Sequence, residues 1–382
     1  MIIKNGDVYT NDKFVKADIV IKDKIIEQVN FDTSDNNFTE ADDCIIDASN
    51  LYVIPGLVDI HFHGCAGFDF CDGTDEGLDA ITQYQVQNGI TSIVPATMTL
   101  SEQELEKIFS NFSNYKNTSG STIRGITMEG PFISETKKGA QNSDYILKPD
   151  VEFFQKMQRL SGNMIKQVAI APEEDKDFAF IKEVSKKTVV SLAHTTADYY
   201  VADAAFKSGA SHVTHLLNAM PGFNHREPSV VGAALDNQEV FVELICDGVH
   251  IHPCVIRAMF RLFGADRICM ISDSMMATGM PDGRYMLGGQ NVEVTNKKAL
   301  LANGTIAGSV SNLFDCLRSV VLDMDIPLTD AVKACTSTPA KALGMYNQCG
   351  KIDIGCEADI VIMDKVLNIK YIVKSGKKIV LQ

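Results

Sequence analysis

What most constrains this fold is a rhythm. Eight apolar runs of strand length recur through the middle of the chain, at Val58–His63, Thr91–Thr97, Arg124–Glu129, Gln167–Pro172, Thr188–His194, His212–Leu217, Phe241–Cys246 and Ile268–Asp273. Stretches with helical spacing lie between them, among them Asp75–Asn88, Ser101–Phe112, Phe178–Lys186 and Ala197–Ser208. Strands alternating with helices indicate a parallel α/β architecture, and eight is the number that closes a (β/α)8 barrel. The rival is an open doubly wound sheet, but no glycine-rich dinucleotide fingerprint follows the first strand.

The chain ends read differently. Ile2-Ile3, Ala17–Ile21, Lys24–Val29 and Cys44–Asp47 are β-rich, with turn signals at Asn5-Gly6 and Lys22-Asp23, and a polar stretch over 31–43 reads as a loop. Ala358–Asp364 and Tyr371–Val380 have the same character. The simplest account is a small β-sandwich domain made from residues 1–53 and 348–382, flanking a TIM-like barrel over 54–347. A net charge of −14 argues against broad nucleic-acid binding, though a few cationic groups inside an acidic protein still hold a phosphate. Ten cysteines without a Cys-x-x-Cys pair, no signal-like N-terminus and no apolar run of transmembrane length point to the cytoplasm.

Reactive residues of a barrel gather at the C-terminal ends of its strands. His61 and His63 close the first run, and a period of two puts both imidazoles on one side of a strand. Two imidazoles there form half of a site for Zn or Fe; the plainer alternative is a pair of buried polar residues. Glu129 ends the third run, His194 the fifth and Asp273 the eighth, with His215 near the end of the sixth. Of the eight histidines, His212 is out of phase with His215 and reads as a packing residue; His225 and His250 fall in loops, and His252 precedes Pro253 at a helix start.

Several motifs carry a resemblance: Thr127-Met128-Glu129-Gly130-Pro131-Phe132, Ala193-His194-Thr195, Thr214-His215-Leu216-Leu217-Asn218-Ala219-Met220-Pro221, His225-Arg226-Glu227-Pro228, Asp247-Gly248-Val249-His250 and Ser272-Asp273. In order and spacing they resemble the N-acetylglucosamine-6-phosphate deacetylases of the amidohydrolase superfamily. The resemblance implies metal-dependent hydrolysis of an N-acetyl phosphosugar to acetate and the amino sugar phosphate. Glu129, His194 and His215 would hold a principal metal; His61, His63 and a bridging Glu129 would hold a second. Many relatives carry Gln and Asn at the His61 and His63 positions, so this pair leans toward two ions. Asp273 would serve as the catalytic acid and base. Ala140, Gln141, Asn218, Ala219, Arg226, His250 and backbone at Ala307, Gly308 and Ser309 would contact substrate, Gln141 standing where relatives often have His. A homodimer is implied, with Arg226 reaching toward the neighbouring site. The alternatives are an N-acetylgalactosamine-6-phosphate deacetylase, a cyclic amidase, or an inactive scaffold of the same fold.

Overall fold

The computed structural model describes residues 1–31 and 45–381. All but Phe31 of the expected loop over 31–43 lies outside the described residues, as does Cys44.

The rhythm of the middle becomes two sets of parallel strands. Leu57–Asp59 pairs with Ile90–Ile93, which pairs with the short Thr122–Ile123. Six further strands lie side by side in chain order: Ile126–Met128, Ile165–Ile170, Val189–Leu192, His212–Val213, Phe241–Ile245 and Ile268–Ile271. All neighbours in this sheet are parallel. The expected third run is thus split, Thr122–Ile123 joining one set and Ile126–Met128 the other. Backbone hydrogen bonds link the sets on both sides. Thr127 donates to Pro95 (2.9 Å) and Thr97 to Thr127 (3.0 Å), while Asp273 donates to His61 (3.0 Å) and His63 to Ser274 (2.7 Å). Inside the first-to-last junction, buried Asp59 accepts from the Ser272 hydroxyl at 2.5 Å.

Helices cover these strands, and their sequences say where they begin. Thr74 caps Asp75–Gln87 by accepting from the Gly77 amide. Ser101 and Glu104 form a reciprocal capping box on Glu102–Asn114, whose Leu105, Ile108, Phe109 and Phe112 recur on one turn-spaced face and are buried. Asp198 caps Tyr199–Lys207. His252 caps Pro253–Phe263, accepting from the Cys254 amide through Nδ1 at 3.2 Å.

The strands of both chain ends share one eight-stranded sheet. Ile360–Met363 runs antiparallel to Tyr52–Pro55, which in turn lies parallel to part of Ile2–Thr10. This sheet has its own core of Ile3, Ile19, Val53, Ile360 and Ile362, each fully buried. One element had no counterpart in the sequence reading: a three-stranded antiparallel sheet, Gly283–Leu287, Gln290–Thr295 and Lys298–Leu300, between the last parallel strand and the helix Leu313–Leu322. Its alternation of buried Val292 and Val294 with exposed neighbours is ordinary half-buried strand pattern. Among the described residues no helix is long and apolar enough to cross a membrane.

Candidate metal centre and active site

The strands stop sooner than the apolar runs suggest. Leu57–Asp59 ends before His61 and His63, so neither imidazole lies on a strand proper. The chain nevertheless stays alternating there: Ile60 and Phe62 are fully buried in the core, and both histidines turn to the other side. His194, His215 and Asp273 each stand two residues past their strands. All three have left-handed backbone, with φ of 42°, 30° and 48°. Such backbone in a residue other than glycine costs about 1–3 kcal/mol and persists where the surroundings impose it. Glu129 directly follows its strand, and Gly130 after it has φ 71°; a Cβ there would sit 2.0 Å from the Thr99 hydroxyl. Only glycine lets the chain turn so closely behind Glu129.

These turns bring six side chains together. Glu129 Oε1 lies 3.1 Å from His194 Nε2 and 3.0 Å from His215 Nε2, and those two nitrogens are 3.1 Å apart. His63 Nε2 lies 3.3 Å from both Glu129 Oε2 and Asp273 Oδ1. His61 Nε2 is 3.7 Å from Glu129 Oε1 and 3.8 Å from Asp273 Oδ1. The ligand-bearing atoms fall into two groups, Glu129/His194/His215 and His61/His63/Asp273. The second group therefore includes Asp273, which the sequence reading reserved for acid–base work, with Glu129 standing between the two.

The proton positions decide whether a cation fits. His194 Nδ1 faces the Lys137 carbonyl at 2.8 Å and His61 Nδ1 faces a Glu243 carboxylate oxygen at 3.1 Å. Both partners only accept, so both Nδ1 atoms carry hydrogen, and with no further proton each ring presents a lone pair at Nε2. Those lone pairs point at carboxylate lone pairs, and His61 Nε2 is buried without a hydrogen-bond partner. Only an added proton or a bound cation relieves that opposition. The charges around the rings say the same. Burial alone would keep His63 neutral, yet Asp273 and Glu129 push it up to about 10. Burial would raise Glu129 and Asp273, yet the surrounding imidazoles hold both below the usual carboxylate range. The site calls for positive charge, and imidazole with carboxylate is a donor set that divalent transition metals accept.

Above these groups opens a cavity of about 370 Å³. Its lining includes His63, Glu129, Ala140, Gln141, His194, His215, Asn218, Ala219, His250, Asp273 and Gly308. His61 lies beneath, fully buried. Ala307 and Ser309 are buried beside the lining, and the Ser309 hydroxyl donates to the Ser272 carbonyl at 2.6 Å. His250 is braced by Asp247, Nδ1 to Oδ2 at 2.8 Å. Arg226 is the exception: it is exposed, as is His225, and does not line the cavity. Gln141 is buried and committed. Its amide nitrogen donates to Glu129 Oε2 at 2.8 Å and its oxygen accepts from the Thr99 amide at 2.7 Å.

Lys137, Asp59 and Glu243 are among the residues at the site that have no role in the sequence analysis. Lys137 lines the cavity, and its carbonyl orients His194. Asp59 is fully buried, accepts from the His61 amide at 3.3 Å and is pushed up to about 7 by that burial. Glu243 is fully buried beneath His61. The signal for Glu243 was legible, because Phe241-Val242-Glu243-Leu244-Ile245 is an apolar strand interrupted by one acid, and a buried charge needs a partner.

Comparison with known proteins agrees with this geometry. The family model described as "Amidohydrolase family" matches residues 52–379. An N-acetylglucosamine-6-phosphate deacetylase of Bacillus subtilis (strain 168) is 35% identical over 95% of this chain and 93% of its own. One of Lysinibacillus sphaericus is 37% identical over 87% and 86%. An Asp-to-Ala mutant of N-acetyl-D-glucosamine-6-phosphate deacetylase from Mycobacterium smegmatis, in complex with N-acetyl-D-glucosamine-6-phosphate, superposes with a TM-score of 0.92 at 29% identity, over 99% of this chain and 98% of that one. By motif, site geometry and relatives alike, this chain belongs to the amidohydrolase family.

Proposed function

We propose that this chain is a divalent-metal-dependent deacetylase of N-acetylglucosamine 6-phosphate, releasing acetate and glucosamine 6-phosphate. One observation carries the reading: two clusters of imidazole and carboxylate, Glu129/His194/His215 and His61/His63/Asp273, meet at the floor of one cavity. Glu129, His194 and His215 would hold the principal ion, and His61, His63 and Asp273 a second, zinc or iron. A divalent cation held there supplies Lewis acidity to an amide carbonyl and makes water a stronger acid.

The chain's own residues supply the rest. Asp273, ionised by its imidazole neighbours, takes a proton from water as its oxygen bonds to the acyl carbon. It returns that proton to the nitrogen as the C–N bond breaks, so the amine leaves neutral. Gln141 cannot polarise the carbonyl as a cationic His would, since an amide carries no charge; bridging Glu129 and Thr99, it orients Glu129. Asn218, Ala219, His250 and Gly308 line the cavity and would contact the sugar phosphate.

The same reading extends to architecture. The parallel strands, with the split third run counted once, form a (β/α)8 barrel over 54–347, and residues 1–53 with 348–382 form a small β-sandwich domain. Two chains pair, so that exposed Arg226 reaches the partner's cavity. The protein works in the cytoplasm, in keeping with nine free cysteines among the described residues.

The test is turnover on N-acetylglucosamine 6-phosphate, its galactosamine epimer and unphosphorylated N-acetylglucosamine. The glucosamine phosphate should be preferred; equal rates on all three would remove the phosphosugar assignment. Arg226→Ala should cost about 2–4 kcal/mol in kcat/KM on the phosphosugar, for two charge-assisted hydrogen bonds, and little on the unphosphorylated sugar. Equal loss on both would make Arg226 structural.

A further inference from the structure

Beneath the two ligand groups lies a carboxylate that touches neither the cavity nor solvent. Glu243, in the middle of Phe241–Ile245, is fully buried. Its Oε2 accepts from His61 Nδ1 at 3.1 Å and from the His215 backbone amide at 3.2 Å. Its Oε1 accepts from Gln167 Nε2 at 2.8 Å and lies 3.1 Å from His212 Nε2. One carboxylate therefore holds the side chain of one ligand group and the backbone of the other. His212, out of phase with His215, belongs to this lower layer.

We propose that Glu243 is a positioning residue: it fixes the tautomer and tilt of His61, so that Nε2 faces Glu129 and Asp273, and retention of the second cation depends on it. The proposal rests on the metal reading above. Its physical content is the acceptor count. Its three hydrogen-bond partners, His61 Nδ1, the His215 amide and Gln167 Nε2, each offer a hydrogen, and a carboxylate accepts on both oxygens where an amide accepts on one. Anionic partners behind a ligating imidazole also make it a stronger donor to the metal, and losing such a partner costs about 10–100-fold in affinity.

Glu243→Gln isolates the charge. Its amide oxygen can face His61 and the His215 amide. Its NH2 can then face Gln167, whose Oε1 is buried without a partner and becomes available as acceptor once that side chain turns over. The network closes without charge, so the fold should hold. Glu243→Leu removes the acceptors altogether and frees the His61 ring to change tautomer.

The experiment strips the full-length protein with a chelator and titrates Zn2+ against a competing chromophoric chelator. It compares wild type, Glu243→Gln, Glu243→Leu, His61→Ala and the His61→Ala/Glu243→Gln pair, with thermal melts alongside. Wild type should take up two ions. Glu243→Gln should melt as wild type yet bind its weaker ion about 10–100-fold less tightly. Glu243→Leu should lose that ion. In the His61→Ala background, Glu243→Gln should change nothing further. Equal zinc affinity in wild type and Glu243→Gln overturns the proposal. So does an undiminished effect of Glu243→Gln once His61 is gone, because Glu243 would then act through the fold. A wild-type protein that binds no zinc sinks the metal reading itself, a separate failure.

Discussion

Two clusters of charge in this molecule are built on opposite rules. At the junction between the end sheet and the parallel strands, each anion has found its cation or donor. Arg124 meets Glu357 at 2.7 Å, Lys374 meets Asp359 at 2.8 Å, and Ser375 donates its hydroxyl to Glu357 at 2.5 Å and its amide to Asp359 at 2.8 Å. At the floor of the cavity, imidazole lone pairs face carboxylate oxygens, nitrogen atoms go unpartnered, and three of the residues sit on left-handed backbone. The first cluster is complete in itself and serves stability. The second is complete only with added positive charge, and the scaffold of strand ends and buried Glu243 carries its strain. Buried polar groups left unsatisfied in a native structure mark a site rather than a flaw.

If that contrast is right, changes at the cavity floor should cost activity and metal but little stability. The largest effect falls on the principal group. His194→Ala or His215→Ala should lose the principal ion and activity together, by at least about a thousandfold, since the several kcal/mol a metal contributes goes with it. Alanine strains the left-handed backbone at both positions, so His194→Asn and His215→Asn serve as counterparts that tolerate it. Metal content and turnover measured together check this; full activity without metal would break the contrast.

Asp273→Asn comes next. Asparagine accepts the φ of 48° at this position as readily as aspartate, so the backbone holds while the charge, the basicity and the grip on the second ion change. Turnover should fall at least about a hundredfold, the low end for a general base, while the ion at Glu129/His194/His215 and the melting temperature stay. Near wild-type turnover would take Asp273 out of the mechanism. His61→Ala should act more gently, lowering total metal while some activity remains. Complete loss, equal to that of His194→Ala, would mean both ions are obligatory.

How much of this was legible beforehand follows from the same contrast. The strand–helix rhythm and the residues at its ends are written as periodicity, and His61, His63, Glu129, His194, His215 and Asp273 do converge. What periodicity does not carry is where a strand stops hydrogen bonding. The apolar runs continue through His61, His194 and His215, but the ladder ends earlier because the ligand-bearing backbone turns away. Partners across long sequence distance were equally invisible: nothing local in Gln167 or His212 tells that both meet Glu243. Arg226 shows the limit of motif reading. It lies in the loop between His212–Val213 and the helix Ser229–Asp236, and in the single chain it faces solvent.

The smallest expected effect lies at the other cluster, and it has a pH signature. Glu357 is half-buried. Burial would raise its pKa, but Ser375, Lys374 and Arg124 outweigh that and push it down to about 2 from an ordinary value near 4.5. A carboxyl whose folded pKa is depressed contributes stability that is fully present above its unfolded value and fades as pH falls toward the folded one. Solvent screens a pair this exposed, so the contribution is about 1 kcal/mol or less, a few degrees of melting temperature at most. Glu357→Gln should therefore melt slightly below wild type at pH 6, and the gap should narrow steadily between about pH 4.5 and pH 2 as wild type protonates. Turnover at pH 6 should not change. A gap that stays constant across that range would assign the loss to packing or hydrogen bonding rather than charge. A fall in turnover with the metal still bound would couple the junction to the cavity and end the separation between the two clusters.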